Sequence, residues 1–87
     1  MRPIVLTFAA SDPTGGAGMQ ADLLTLAALG CHPLSVLTAL TVQDTRGVEH
    51  VEPVSAELVA RQAGVLLAET QVAAFKVGVV ASAENAR

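Results

Sequence analysis

Three places in this chain of 87 residues carry groups whose type and position suit chemistry. The first is Asp22. At about 100° per residue, Met19, Leu23, Leu26 and Leu29 share one helical face, and Asp22 falls between Leu26 and Leu29 on it. A carboxylate in an apolar stripe is costly unless it has a partner. Asp22 therefore either faces a ligand or lies close enough to the helix start for the macrodipole and water to support it. The second is Gln43, at the end of an apolar stretch. Its amide offers both donor and acceptor, which suits reading the edge of a heterocycle, although an ordinary loop residue would look the same. The third is the cluster Gly15-Gly16-Ala17-Gly18, where the backbone can take unusual dihedrals and a ligand can come close. A helix start there would offer free N–H groups to an anion. The spacing fits neither a dinucleotide fingerprint nor a phosphate-binding P-loop, so a tight strand-to-helix turn explains it equally well.

The elements that must position these groups follow from the apolar pattern. Residues 4–9 read as a short buried strand ended by Ser11-Asp12-Pro13. A helix runs from about Gly16 to Leu29, with Gly30 as its C-cap and Pro33 beyond. Residues 34–42, rich in Val, Leu and Thr, form a second strand, and a polar segment from Gln43 to Gly47 follows. Val48 to Glu52 alternates and suits a short exposed strand ended by Pro53. Ser55 is placed to cap a helix over 56–69, with Glu57 favourable in its first turn. Residues 73–80 make a third buried strand, after which Ser82 and Glu84 repeat the chemistry of a helix start.

This order, β-α-β-(β)-α-β, predicts an α/β fold with a mostly parallel sheet flanked by helices. In such sheets ligands bind outside the carboxyl ends of the strands, where Asp12, Gln43 and Val79 all fall. The helix start without its helix, and the uncovered edge expected beside the third strand, suggest a piece of a longer chain.

Composition narrows the classes. The chain is 52% hydrophobic, 15% charged, and carries a net charge of −3. Its five basic residues are scattered, which speaks against nucleic acid or an anionic membrane as partner. Cys31 is alone, so no disulfide framework exists and a cytoplasmic location is expected. The N-terminal apolar run is too short to span a membrane. Cys31 and His32 read as turn and packing residues and His50 as solvated; Lys76, in a buried-looking strand, could snorkel, pair with a carboxylate or face a ligand, and a structural pair is the favoured reading. No cluster has metal-ligand spacing.

Taken together, the motifs resemble those of hydroxymethylpyrimidine/phosphomethylpyrimidine kinases, thiamine-pathway members of the ribokinase-like superfamily. Ser11 to Leu23 is similar to their opening signature, Ala39 to Val48 to their Gln-Asn-Thr-Arg-Gly segment, and Lys76-Val77-Gly78-Val79 to their Lys-Ile-Gly-Met strand. The resemblance covers essentially the whole chain, as the N-terminal part of one ribokinase-like domain. It implies transfer of the ATP γ-phosphoryl group to 4-amino-5-hydroxymethyl-2-methylpyrimidine and then to its monophosphate, with ATP and Mg²⁺ as cofactors. It also implies site roles. Asp22 and Gln43 hydrogen-bond the aminopyrimidine edge; Ala10, Thr41 and Val79 line the ring slot; Gly15 and Gly16 shape the loop beside the reacting group.

The sequence departs from the family at Ala10, usually Gly; at Val79, usually Met; and at Asp44, usually Asn. The resemblance places the catalytic residues and most of the ATP site downstream of Arg87, at a Gly-Thr-Gly motif followed by Cys or Asp that is not found in these residues. The chain alone is therefore expected to be inactive, and the full-length protein to be a homodimer. A pyridoxal-type kinase and a non-catalytic pyrimidine-binding module are the alternatives. The reading frame beyond Arg87 separates enzyme from module.

Overall fold

The computed structural model describes residues 2–78. The first strand, β1 (Ile4–Ala10), runs through the middle of a four-stranded sheet. Helix α1 (Gly18–Ala28) carries the chain to β2 (His32–Asp44), which lies parallel to β1. A hairpin then leads to β3 (Gly47–Pro53), antiparallel to β2 at one edge. Helix α2 (Ala56–Glu69) returns the chain to β4 (Ala74–Val77), parallel to β1 on its other side. The strand order is β3-β2-β1-β4. The connection through α1 thus leads to one side of β1 and that through α2 to the other. The strand order reverses direction at β1, the arrangement that opens a crevice at the carboxyl ends of the strands.

Strand alternation distributes the packing between two faces. Leu6 and Val36 are fully buried and meet Val59 and Ala63 of α2, with Phe8, Leu34, Val54, Leu66 and Val72 around them. Val5, Thr7 and Ala9 point to the opposite face, where α1 packs and Met19 is its buried anchor. Fully burying one Leu or Val side chain contributes about 1.5–3 kcal/mol, so this small cluster is a large share of what holds the chain together.

The helix ends follow local chemistry. Ser55 accepts a hydrogen bond from the Leu58 N–H at 3.1 Å and caps α2, whose span matches the expectation. The cap of α1 is Leu29, with Gly30 one residue beyond it at φ 84°. Gly30 N–H donates to Ala27 O and Cys31 N–H to Leu26 O, the paired bonds of a Schellman ending.

Four expectations need correction. Helix α1 begins at Gly18 rather than Gly16, because the residues before it are held in a side-chain-bonded loop. Leu29 is exposed (74%), since it lies past the last full turn and has left the stripe that faces the sheet. Strand β2 is longer than 34–42: pairing with Ile4 begins at His32, and the hairpin with β3 carries it to Asp44. The third strand expected over 73–80 is described only as Ala74–Val77, and all four residues are exposed. It is an edge strand paired to β1, and Lys76 links it to α1 through Asp22. The signals read at Val79, Ser82 and Glu84 lie outside the described residues.

Candidate functional site

A pocket of about 480 Å³ opens at the carboxyl ends of the strands. Each wall comes from a different element. Strand β1 ends in it with Ala9 and Ala10, β2 supplies Ala39, Thr41 and Gln43, and β3 supplies Val48 and Val51. Asp22 enters from α1, while Lys76 and Gly78 close the side formed by β4. Most of the wall is aliphatic, and a few polar groups converge on the space, as small-molecule sites commonly require.

Asp22 is the most elaborately held of these groups. Its side chain is 14% exposed. The Thr7 hydroxyl donates to Oδ2 at 2.8 Å, and the Lys76 ammonium donates to Oδ1 at 2.8 Å. Thr7 and Lys76 stand opposite each other in the parallel register of β1 and β4, so their side chains rise together beneath the helix. The carboxylate in the apolar stripe therefore has its partners, and Lys76 forms the ion pair expected of it. Across the pocket, Gln43 is half-buried, and its amide has no hydrogen-bond partner among the described residues.

The loop between β1 and α1 is built around Asp12, a buried residue. Its Oδ1 accepts from the Thr14 N–H at 2.9 Å and the Thr14 hydroxyl at 2.8 Å, and its Oδ2 from the Ala17 N–H at 2.8 Å. Ala17 occupies the N-cap position of α1 and has no capping side chain of its own, so Asp12 supplies the negative charge that a helix start favours. These bonds, that of the Thr14 hydroxyl first, lower the Asp12 pKa below its ordinary 3.8. The Asp12 N–H donates to Gln20 Oε1 at 2.6 Å, and the Gln20 amide donates to Ser11 Oγ at 3.3 Å. On the other side, the Thr41 hydroxyl donates to Ser11 O at 2.8 Å. Thr41 thus lines the pocket with its hydroxyl already engaged in fixing the loop.

Of the residues singled out in the sequence, Ala10, Asp22, Thr41 and Gln43 meet in this pocket. Gly15 and Gly16 lie in the adjoining turn and are not part of its wall; Gly15 takes φ 77° there. The glycine that the site requires is Gly18. Its φ is 61°, and a Cβ would come 2.5 Å from Ala10 O. Spacing marked the cluster Gly15-Gly16-Ala17-Gly18 as a glycine turn, but not that Gly18 is the member that touches the strand end. Val48, Val51 and Gly78 were also missed. The alternation of 48–52 and the glycine after a strand were the available signals.

The sequence matches the family profile of phosphomethylpyrimidine kinase over residues 12–87. The chain belongs to that family. A hydroxymethylpyrimidine/phosphomethylpyrimidine kinase of Rhizobium meliloti is 50% identical over 85 residues, which make up 98% of this chain and 32% of that protein. The crystal structure of phosphomethylpyrimidine kinase from Clostridium difficile 630 superposes with a TM-score of 0.87 at 41% identity, covering 93% of this chain and 35% of that one. Pyridoxal kinase from Staphylococcus aureus, solved in complex with AMP-PCP and pyridoxal, superposes with a TM-score of 0.82 at 32% identity, covering 94% and 31%. The α/β arrangement expected from the element order, and its ribokinase-like form implied by the resemblance, is the arrangement these kinases share. The chain spans about a third of the length of the family members it matches.

Proposed function

We propose that these residues form the ring-binding part of an ATP-dependent kinase of thiamine biosynthesis. Its substrates would be 4-amino-5-hydroxymethyl-2-methylpyrimidine and then the monophosphate. The observation that carries this reading is the convergence of Asp22 and Gln43 on one aliphatic pocket. Each Asp22 oxygen already accepts one hydrogen bond and keeps further lone-pair capacity for a ring amine. The Gln43 amide can both donate to and accept from the ring edge. Ala10, Thr41 and Val51 line the pocket and offer small or aliphatic surface to the ring faces. Val79 is proposed as a further wall and Gly15 and Gly16 as the shape of the loop, on the family resemblance.

On the same basis the chain is the N-terminal part of a single kinase domain, and the full protein is a cytoplasmic homodimer using ATP and Mg²⁺. The similarity to a pyridoxal kinase supports a second reading, in which the ring is pyridoxal. Calorimetric titration of the full-length protein with the aminopyrimidine and with pyridoxal separates the two. The pyrimidine is expected to bind more tightly, and Gln43→Leu and Asp22→Leu each to weaken it by about tenfold or more, the cost of stranding a polar partner. Unchanged affinity in both variants sinks the ring-binding reading.

A further inference from the structure

Lys76 is half exposed (49%), and an ion pair so open to solvent contributes little to stability. Its geometry points to another use. Asp22 has two soft side-chain torsions, and a single hydrogen bond would leave its carboxylate free to pivot. Here the two oxygens are held separately, Oδ2 by Thr7 from β1 and Oδ1 by Lys76 from the neighbouring strand β4, both at 2.8 Å. Two anchors on different oxygens fix the plane of the group, and the lone-pair capacity left over lies on a side chain that lines the pocket. The other acidic group in the wall, Asp12, is committed to Thr14 and Ala17 and does not compete for Lys76.

On the ring-binding reading above, we propose that Lys76 is a positioning residue that sets the selectivity of the pocket. By bonding to Asp22 it fixes an outward acceptor, and one of its three ammonium donors is taken up in doing so. A heterocycle presenting an amino group is then favoured over one presenting an oxo group at the same position. Without Lys76, Asp22 keeps only the Thr7 bond and turns more freely, and the donor-for-acceptor match to the amine is lost.

The test is titration of the full-length protein with 4-amino-5-hydroxymethyl-2-methylpyrimidine and with its 4-oxo analogue, in wild type, Lys76→Met and Lys76→Arg. Wild type is expected to prefer the amino compound. Lys76→Met is expected to lower the amino-to-oxo affinity ratio by about tenfold, the size of one lost charge-assisted contact. Lys76→Arg is expected to restore most of the ratio. Lys76→Gln, shorter and neutral, is read in the same way should Lys76→Met fail to fold. A ratio that survives the loss of the ammonium overturns this proposal alone. A wild-type protein that binds neither compound overturns the ring-binding reading and this one with it.

Discussion

At the scale of single residues, the loop before α1 depends on one ionised group. Asp12 holds three donors, and its pKa lies below the ordinary 3.8, chiefly through the Thr14 hydroxyl and then the Thr14 N–H, despite an opposing contribution from burial. A carboxyl whose folded-state pKa is lowered favours folding fully above its unfolded value. That contribution disappears as pH falls from about 3.8 through the lower folded value. The slope of stability against pH in this acid window is therefore expected to flatten in Asp12→Asn, while the two proteins remain parallel above pH 5. Urea melts at a series of pH values measure it. Parallel curves below pH 4 as well would mean that Asp12 is not the group being titrated. Asn retains an acceptor for Thr14 or Ala17, so the comparison isolates charge more cleanly than Asp12→Ala would.

At the scale of elements, caps and pairing explain what could be read in advance. Ser55, Glu57 and the apolar spacing after them made α2 legible end to end, because its signals are local. Gln43 was legible as a candidate for a similar reason, since a polar amide at the end of an apolar strand falls at the sheet edge where ligands bind, whereas Thr41 was suggested by the family resemblance alone. The uncovered edge at β4 was expected from the element order, although Ala-Phe-Lys-Val reads as a buried strand by composition. The partners of Asp22 were hidden. Thr7 lies 15 residues away from it and Lys76 lies 54, and only the β1–β4 register brings both beneath α1. Two helix-end variants test the local part of this account. Ser55→Ala removes the bond to the Leu58 N–H and is expected to cost about 1 kcal/mol. Gly30→Ala forces a Cβ into a left-handed position with open space around it, so conformational strain alone should cost about 1–2 kcal/mol. Chemical denaturation measures both, and a neutral Gly30→Ala would show that the Schellman ending does not survive in solution.

At the scale of the whole molecule, binding a ring and transferring a phosphoryl group are separable tasks. Transfer relies on in-line positioning and on neutralising the charge that develops on the phosphoryl oxygens. The pocket described here offers two engaged carboxylates, an amide and one ammonium that is bonded to Asp22. Additional negative charge facing a triphosphate would oppose transfer rather than assist it, since like charges repel across a partly dry site. The family resemblance puts the oxyanion-binding motif and the base beyond Arg87. A polypeptide of these 87 residues, incubated with ATP, Mg²⁺ and the hydroxymethylpyrimidine, is therefore expected to yield no phosphorylated pyrimidine above a protein-free blank. A protein that continues into a Gly-Thr-Gly-Cys/Asp motif is expected to yield both the mono- and the diphosphate. Mass spectrometry of the reaction mixtures reads the difference directly. Turnover by the short polypeptide would mean that these residues also hold the reacting phosphate. The turn at Gly15 and Gly16, beside the α1 start, would then have to be reconsidered as an anion site instead of a shaped loop.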